Sequence, residues 1–177
     1  GMEGSRDYAL KLKYHKGYFR LNQFDNPDNY KAHYKTTGPE IWKDTEGEVT
    51  HFVSAMGTTG TIMGVSDYLK EQNKGITIIG AQPEDGAKIP GIRKWTDDYV
   101  PAIFKASKVD QVLEVSEQEA KEMTQKLASE EGIFAGMSSG GSVACALRVA
   151  KNIERGVIVA IVCDRGDRYL SSSLFNK

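Results

Sequence analysis

Strand-like and helix-like segments alternate along most of the chain, and this order constrains the fold more than any other feature. Apolar runs rich in β-branched residues predict strands, while apolar positions spaced three and four apart predict helices. The predicted strands have the sequences "GYFRLNQF", "EVTHFVSA", "ITIIGAQPE", "IFA" and "VIVAIVC". Because helices separate the later strands, we predict an α/β fold in three layers, a doubly wound and mostly parallel sheet with helices on both faces.

Five segments carry helix signals. They are "SRDYALKLKYHK", "AHYKTTGPEIWKDT" from Pro39 onward, "TIMGVSDYLKEQN", "SEQEAKEMTQKLASEEG" and "GSVACALRVAKNI". The fourth has the clearest ends, because Ser116 and Glu119 form a capping box and Gly132 suits a C-terminal cap. Between Asp85 and Lys108 the chain is irregular and longer than most connections, which predicts a functional or mobile loop.

Composition excludes several classes of protein. The 177 residues have a formal net charge of -1, so no strong positive field would attract nucleic acid. No run approaches the roughly 18 apolar residues of a membrane span, and the N-terminus does not resemble a signal peptide. Cys145 and Cys163 lack metal-ligand spacing, which predicts no metal site and a reducing compartment. We therefore expect a cytoplasmic protein that binds neither nucleic acid nor membrane.

The stretch "SAMGTTGTIMG", from Ser54 to Gly64, links a predicted strand to a predicted helix. The start of a helix offers free backbone N–H groups and a positive dipole end, which attract anions. The residues that could surround an anion are Gly57, Thr58, Thr59, Gly60 and Thr61. A phosphate monoester fits better than a nucleotide, because the Walker lysine and the three-glycine spacing are absent. A plain glycine-rich turn with threonine capping is the open alternative.

A second turn, "GMSSGGS", also lies between a short predicted strand and a helix. Ser138 is predicted to be the last residue before the helix, with its hydroxyl above the same edge of the sheet. Gly140 and Gly141 would allow a flat group to approach. A simple serine N-cap is the alternative. Together, the two turns predict a site for a phosphate and a small ring.

Several motifs in order along the chain resemble one family. They are "QFDNPDNYKAHYKTTGPEIW", "GTTGTIMGVS", "IPGIRKW", "EGIFAGMSSGG" and "CDRGDRYLSSSLF". They are similar to the cysteine synthases, pyridoxal-phosphate enzymes of fold type II, and most closely to the B isoform. The A isoform has a third glycine where Thr59 stands and a Pro-Ser pair where Cys163 and Asp164 stand.

The resemblance implies a cofactor, a reaction and roles for individual residues. The cofactor would be pyridoxal 5'-phosphate, with its phosphate bound by the Gly57–Thr61 loop and its pyridine nitrogen hydrogen-bonded by Ser138. Gln23 would contact the substrate carboxylate. The reaction would be β-replacement of O-acetylserine by sulfide or thiosulfate, giving cysteine or S-sulfocysteine, in a homodimer. From its place in the irregular loop, Arg93 could meet an anionic sulfur donor, although a solvated arginine is the alternative.

The remaining residues near these motifs are interpreted as structural. Cys163 is expected to be packed near the floor of the site. The turn with Asp164, Arg165, Asp167 and Arg168 is expected to be held by salt bridges.

The same resemblance implies that part of the site belongs to an N-terminal region outside this chain. That region would hold the Schiff-base lysine, the adjacent asparagine and the Ser/Thr-Gly-Asn loop that binds the substrate carboxylate. We expect residues 1–24 to be the tail of a smaller N-terminal domain and residues 25–177 to be most of the larger one. The chain by itself should be inactive. A non-catalytic module that binds phosphate or pyridoxal phosphate, or an interaction protein, is the alternative.

Overall fold

A parallel four-stranded sheet forms the centre of the protein. The computed structural model describes residues 1–175. Its strands are β1 (Val49–Ala55), β2 (Thr77–Pro83), β3 (Gln111–Val115) and β4 (Val157–Ala160). Their order across the sheet is β3-β2-β1-β4, and every neighbouring pair is parallel. The predicted α/β fold with a parallel sheet is confirmed.

Six α-helices accompany the sheet in the described residues. They are α1 (Met2–Lys16), α2 (Asp28–Lys35), α3 (Thr37–Asp44), α4 (Gly60–Gln72), α5 (Glu117–Glu130) and α6 (Met137–Ala150). At the start of α5, Ser116 Oγ accepts a hydrogen bond of 3.1 Å from the Glu119 N–H, which confirms this half of the predicted cap. Among residues 1–175, none of the helices has the length and apolar content needed to cross a lipid bilayer.

The two faces of the sheet are covered by separate hydrophobic cores. Successive side chains of a strand point to opposite faces. Phe52 of β1 therefore joins the core that includes Ile62 and Leu69 of α4, while its neighbour Val53 joins the core that includes Cys145 of α6. Since a hydrophobic core covers each face of the sheet, the three-layer arrangement is confirmed.

Two predicted strands are wrong. Residues 17–24, "GYFRLNQF", contain no strand, and Phe19 is 89% exposed. Aromatic and aliphatic side chains favour a strand only where a neighbouring strand supplies hydrogen bonds and packing. The segment "IFA" contributes a single antiparallel bridge between Ala135 and Arg165.

One strand and one helix also differ from the prediction. The strand β3 was not predicted, because it is a short edge strand of five residues with polar Gln111 and Glu114. The predicted helix "AHYKTTGPEIWKDT" is divided at Thr36, so that Pro39 lies in the first turn of α3 rather than at its first position.

The segment from Asp85 to Lys108 is irregular, as predicted. It contains only two short 3₁₀ turns, Asp97–Tyr99 and Ala106–Lys108. Ile89 and Ile92 are each only 1% exposed and belong to the core beneath α6. Apolar anchors therefore fix this segment to the body of the protein, while its predicted mobility stays a prediction.

Candidate anion-binding site

The strand order places one crevice at the carboxyl edge of the sheet. From β1 the chain runs outward through β2 and β3, whereas β4 returns on the other side of β1. The loops that follow β1 and β4 consequently diverge, and ligands of open α/β sheets bind at this type of switch point. The Gly57–Thr61 loop follows β1 here, and Cys163 follows β4.

A cavity of about 170 Å³ lies at this switch point. It is lined by Ser54, Ala55, Gly57, Thr58, Thr59, Thr61, Gly91, Ser142, Ile161 and Cys163. Since one water occupies about 30 Å³ in the liquid, the cavity has room for a tetrahedral anion. We call this cavity and its lining residues the anion cup.

Thr58 has a hydroxyl that is free to donate into the anion cup. Its oxygen accepts hydrogen bonds from Asn29 Nδ2 at 3.1 Å and from the Gly60 N–H at 3.4 Å. Because both bonds use the oxygen, the hydrogen remains available for an anion. Asn29 also donates to the Gln23 carbonyl oxygen at 2.7 Å. Asn29 was not among the site residues predicted from the sequence.

Thr59 holds the loop in an unusual conformation. Its φ and ψ are 70° and 1°, in the left-handed region that a β-branched residue rarely adopts. Its hydroxyl donates to the Thr58 carbonyl oxygen at 2.6 Å. The Thr59 hydroxyl therefore stabilises the loop itself, and would have to rotate before it could donate to an anion.

Substitutions at Thr59 should reverse the order of stability found inside a helix, where alanine is more stable than glycine. Both Thr59→Ala and Thr59→Gly remove the hydroxyl, but only alanine keeps the steric penalty of the left-handed backbone. We expect Thr59→Gly to be more stable than Thr59→Ala by about 1 kcal/mol, measured by urea unfolding. At Thr61, inside α4, alanine should instead be more stable than glycine by about 1 kcal/mol. The same order at both positions would contradict strain at Thr59.

The glycines of the loop are required by close packing. A Cβ on Gly60 would overlap the amide of Asn29, and one on Gly57 would lie 2.9 Å from the Gly91 carbonyl oxygen. One turn further along α4, a Cβ on Gly64 would meet the backbone of α2. These contacts bring α2 against the start of α4, which the spacing of glycines alone did not reveal.

Thr61 faces a histidine of α2 that the sequence analysis did not select. Thr61 Oγ1 lies 3.2 Å from His33 Nε2, and His33 Nδ1 lies 2.9 Å from Thr37 Oγ1. Burial lowers the pKa of His33. A neutral imidazole has one donor and one acceptor nitrogen, so the two threonines must play opposite roles.

Ser138 lies inside a helix, which differs from its predicted position. The N-cap of α6 is Gly136, so Ser138 belongs to the first turn. The helix continues through Gly140, and α6 packs so closely on α5 that a Cβ at this position would meet Thr124. Ser138 is 2% exposed and lies beneath Gly91, where a Cβ would be 3.0 Å from its Oγ.

Cys163 connects Ser138 to the anion cup. Its Sγ lies 3.1 Å from Ser138 Oγ, and its N–H donates to Ser139 Oγ at 3.2 Å. The expectation that Cys163 is packed is wrong: it follows the end of β4, lines the cup and is exposed. Cys145 is the buried cysteine, and burial raises the pKa of its thiol.

Gln23 and Arg93 lie outside the anion cup. Gln23 is exposed and lines a separate cavity of about 210 Å³ beside α1. Arg93 lines a cavity of about 310 Å³ whose wall includes Thr59, and its N–H donates to the Met56 carbonyl oxygen at 2.8 Å. Arg93 is thus next to the cup, and the predicted substrate contacts of both residues stay predictions.

The turn after Cys163 contains part of the predicted salt-bridge network. Arg165 Nη2 lies 2.6 Å from Asp167 Oδ2. Asp164 instead accepts a hydrogen bond of 2.6 Å from the Tyr169 hydroxyl. Burial, followed by this bond, raises the pKa of Tyr169 to about 12. The turn is therefore stabilised by the Tyr169–Asp164 hydrogen bond as well as by the Arg165–Asp167 ion pair.

Comparison with known proteins identifies the family. Residues 1–164 match the family described as "pyridoxal-phosphate dependent enzyme". The chain belongs to this family. It is 58% identical over 177 residues to cysteine synthase B of Escherichia coli and 57% identical over 176 residues to that of Pseudomonas aeruginosa. These alignments cover 100% and 99% of the chain, and they confirm the resemblance to the B isoform.

Solved structures of the family have the same fold. The chain aligns with cysteine synthase of Entamoeba histolytica with a TM-score of 0.91 and 39% identity, over 100% of this chain and 55% of that one. A structure of O-ureido-L-serine synthase bound to O-ureido-L-serine gives a TM-score of 0.92 and 35% identity, over 99% of this chain and 58% of that one. The fold type II assignment is confirmed.

The chain spans less than two thirds of the proteins it resembles. It corresponds to 58% of the E. coli protein and 59% of the P. aeruginosa protein. The family is pyridoxal-phosphate dependent, and the chain covers only part of each of these relatives.

Proposed function

We propose that this chain forms the phosphate-binding part of a pyridoxal-phosphate dependent cysteine synthase of the B type. The whole enzyme would catalyse β-replacement of O-acetylserine by sulfide or thiosulfate, giving cysteine or S-sulfocysteine. The observation that carries the proposal is the anion cup, which combines a helix start, a glycine-threonine loop and a sheet switch point. Similarity to cysteine synthase B supports the choice of reaction.

The residues of the cup suit a phosphate. The first N–H groups of α4 have no partner within the helix, and they lie at its positive end. Thr58 offers a hydroxyl hydrogen, because its oxygen already accepts from Asn29 and Gly60. Among residues 1–175, no carboxylate lines the cavity, so a dianion would meet no fixed negative charge from them there.

The side chains beyond the phosphate would set the environment of a ring. Pyridoxal phosphate, when bound, supplies an electron sink for the bonds around an amino acid's α-carbon. Ser138 would provide a hydroxyl to the pyridine nitrogen, and a hydroxyl carries no charge with which to retain a proton there. Since Ser138 is 2% exposed and lies beneath Gly91, the loop around Gly91 would have to move for this contact to form.

Other parts of the proposal concern the longer protein. We propose that residues 1–24 belong to a smaller domain and residues 25–177 to a larger one; residues 176–177 lie outside the described structure. Gln23 would contact the substrate carboxylate, and Arg93 an anionic sulfur donor. The Schiff-base lysine would come from outside this chain. The whole enzyme would act as a cytoplasmic homodimer.

A non-catalytic module is the second candidate. The anion cup and its supports, Asn29 and His33, all belong to this chain. The residues proposed to bind a phosphate therefore all belong to this chain, whereas the proposed reaction needs a lysine from outside it.

Phosphate titration tests the proposal. Inorganic phosphate should shift the backbone amide NMR signals of the Gly57–Thr61 loop in a saturable manner. Thr58→Val should weaken this binding about tenfold or more, because a hydrogen bond to a charged group is lost. Thr45→Val is the matched control, since the Thr45 hydroxyl donates to the Ile41 carbonyl oxygen at the end of α3. Unchanged affinity in Thr58→Val, or shifts confined to other regions, would contradict the proposed site.

Added pyridoxal phosphate tests whether this chain holds the cofactor through its phosphate alone. If the chain is only the phosphate-binding part, added cofactor should compete with phosphate for the cup without the visible absorbance of a lysine-linked cofactor. A visible band that survives removal of excess cofactor would show that a lysine of this chain forms the link.

A further inference from the structure

His33 forms a hydrogen-bonded bridge between α3 and the start of α4. Its Nδ1 lies 2.9 Å from Thr37 Oγ1, and its Nε2 lies 3.2 Å from Thr61 Oγ1. Thr61 lines the anion cup, whereas His33 does not. The imidazole therefore contacts the wall of the cup from outside, through one hydroxyl.

The packing of α2 on α4 leaves the imidazole little freedom. A Cβ on Gly64 would lie 2.8 Å from both His33 Cβ and the Tyr34 backbone nitrogen, so the two helices are in direct contact. Because a threonine hydroxyl lies at each ring nitrogen, the orientation of the imidazole ring is fixed. Burial lowers its pKa from the usual value of about 6.5, so the ring is neutral at pH 8.

The position of the single proton decides what Thr61 can do. With the proton on Nδ1, His33 donates to Thr37, and the Thr61 hydroxyl must donate to Nε2. Only lone pairs of Thr61 then face the cup, and these repel an anion. With the proton on Nε2, Thr61 accepts from His33, so its own hydrogen is free to point at an anion.

We propose that His33 is a positioning residue for the anion cup, and that anion binding selects the form of His33 with its proton on Nε2. This inference rests on the proposed phosphate site, and adds a coupled proton position to it. The chain of donors runs from Thr37 to His33, from His33 to Thr61 and from Thr61 to the anion. Every link except the last is a contact within hydrogen-bonding distance.

Nitrogen NMR of the histidine rings, combined with sulfate titration, tests the inference on the 177-residue chain. Sulfate is a suitable probe, because it is a tetrahedral dianion whose charge is constant around neutral pH. At pH 8, saturating sulfate should leave His33 with its proton on Nε2. A proton that remains on Nδ1 at saturation would overturn the inference.

Variants distinguish a directing role from a packing role. His33→Leu should weaken sulfate binding about three- to tenfold, the range of one neutral hydrogen bond. His33→Gln should retain most of the affinity, because its amide N–H can still donate to Thr61. In a Thr61→Val background, His33→Leu should cause no further loss, since the hydroxyl that it orients is gone. An equal loss in that background would mean that His33 acts through packing, and would overturn the inference.

Failure of the underlying site has a different signature. If the wild-type chain shows no saturable response to sulfate or phosphate, the anion cup is wrong, and its coupling to His33 is wrong with it. If sulfate binds but neither the proton position nor the variants behave as stated, the cup remains and only the role of His33 is rejected.

Discussion

Replacing Gly64 with alanine is expected to lower the free energy of unfolding by about 1–3 kcal/mol, the usual cost of overpacking. Helix propensity alone predicts the opposite, since alanine is favoured over glycine in a helix interior by about 1 kcal/mol. The contact decides the sign, because a Cβ here would collide with the Tyr30 carbonyl oxygen of α2, and backbone cannot rotate away. Urea unfolding of the two proteins measures the difference.

Gly4 provides a matched control for Gly64. It also lies in a helix, α1, but a Cβ there would have nothing within 4 Å. Gly4→Ala should therefore be neutral or stabilising, by up to about 1 kcal/mol. Gly64→Ala should also weaken sulfate binding, because it pushes Asn29 and His33 away from the anion cup. Equal effects of the two alanines on stability would refute the close contact between α2 and α4.

The 177-residue chain is expected to show no β-replacement activity. With pyridoxal phosphate, O-acetylserine and either sulfide or thiosulfate, it should form no cysteine or S-sulfocysteine above a blank that contains the cofactor alone. A positioned proton-transfer group typically contributes about 10²–10⁴-fold to a rate, and covalent attachment of the cofactor contributes further. We propose that one lysine has both roles and that it lies outside this chain.

The full-length cysteine synthase B of E. coli is the positive control for this assay. Because it aligns with the whole of this chain, the same cup should be present in both proteins. Turnover by the 177-residue chain above the blank would contradict the proposed absence of the lysine. Borohydride reduction followed by peptide mass mapping would then identify which lysine carries the cofactor.

Part of the site could be predicted because it depends on local sequence. The Gly57–Thr61 loop follows an apolar strand and opens an amphipathic helix, and both signals lie within about ten residues of it. Parallel strands place all such loops at one edge, so the neighbourhood of this loop and Cys163 follows from strand alternation. The same reasoning did not place Gln23 or Arg93, whose positions depend on irregular segments without a repeating pattern.

The supports of the cup could not be predicted in this way. Asn29 and His33 contact Thr58 and Thr61 across 29 and 28 residues of chain, and the contact exists only because two glycines let α2 approach α4. No periodicity in "DNPDNYKAHYK" distinguishes these side chains from those that face solvent.

The sequence by itself determined the α/β class, the parallel sheet, the Ser116 cap of α5 and the glycine-threonine turn between β1 and α4, because each depends on periodicity or on contacts a few residues apart. Only the tertiary structure decided that "GYFRLNQF" is not a strand, that Ser138 lies inside α6 and that His33 faces Thr61. These outcomes depend on which segments are neighbours in space. A strand needs a partner strand, a helix start depends on what packs against it, and an imidazole acquires a role only from the hydroxyls placed at its two nitrogens.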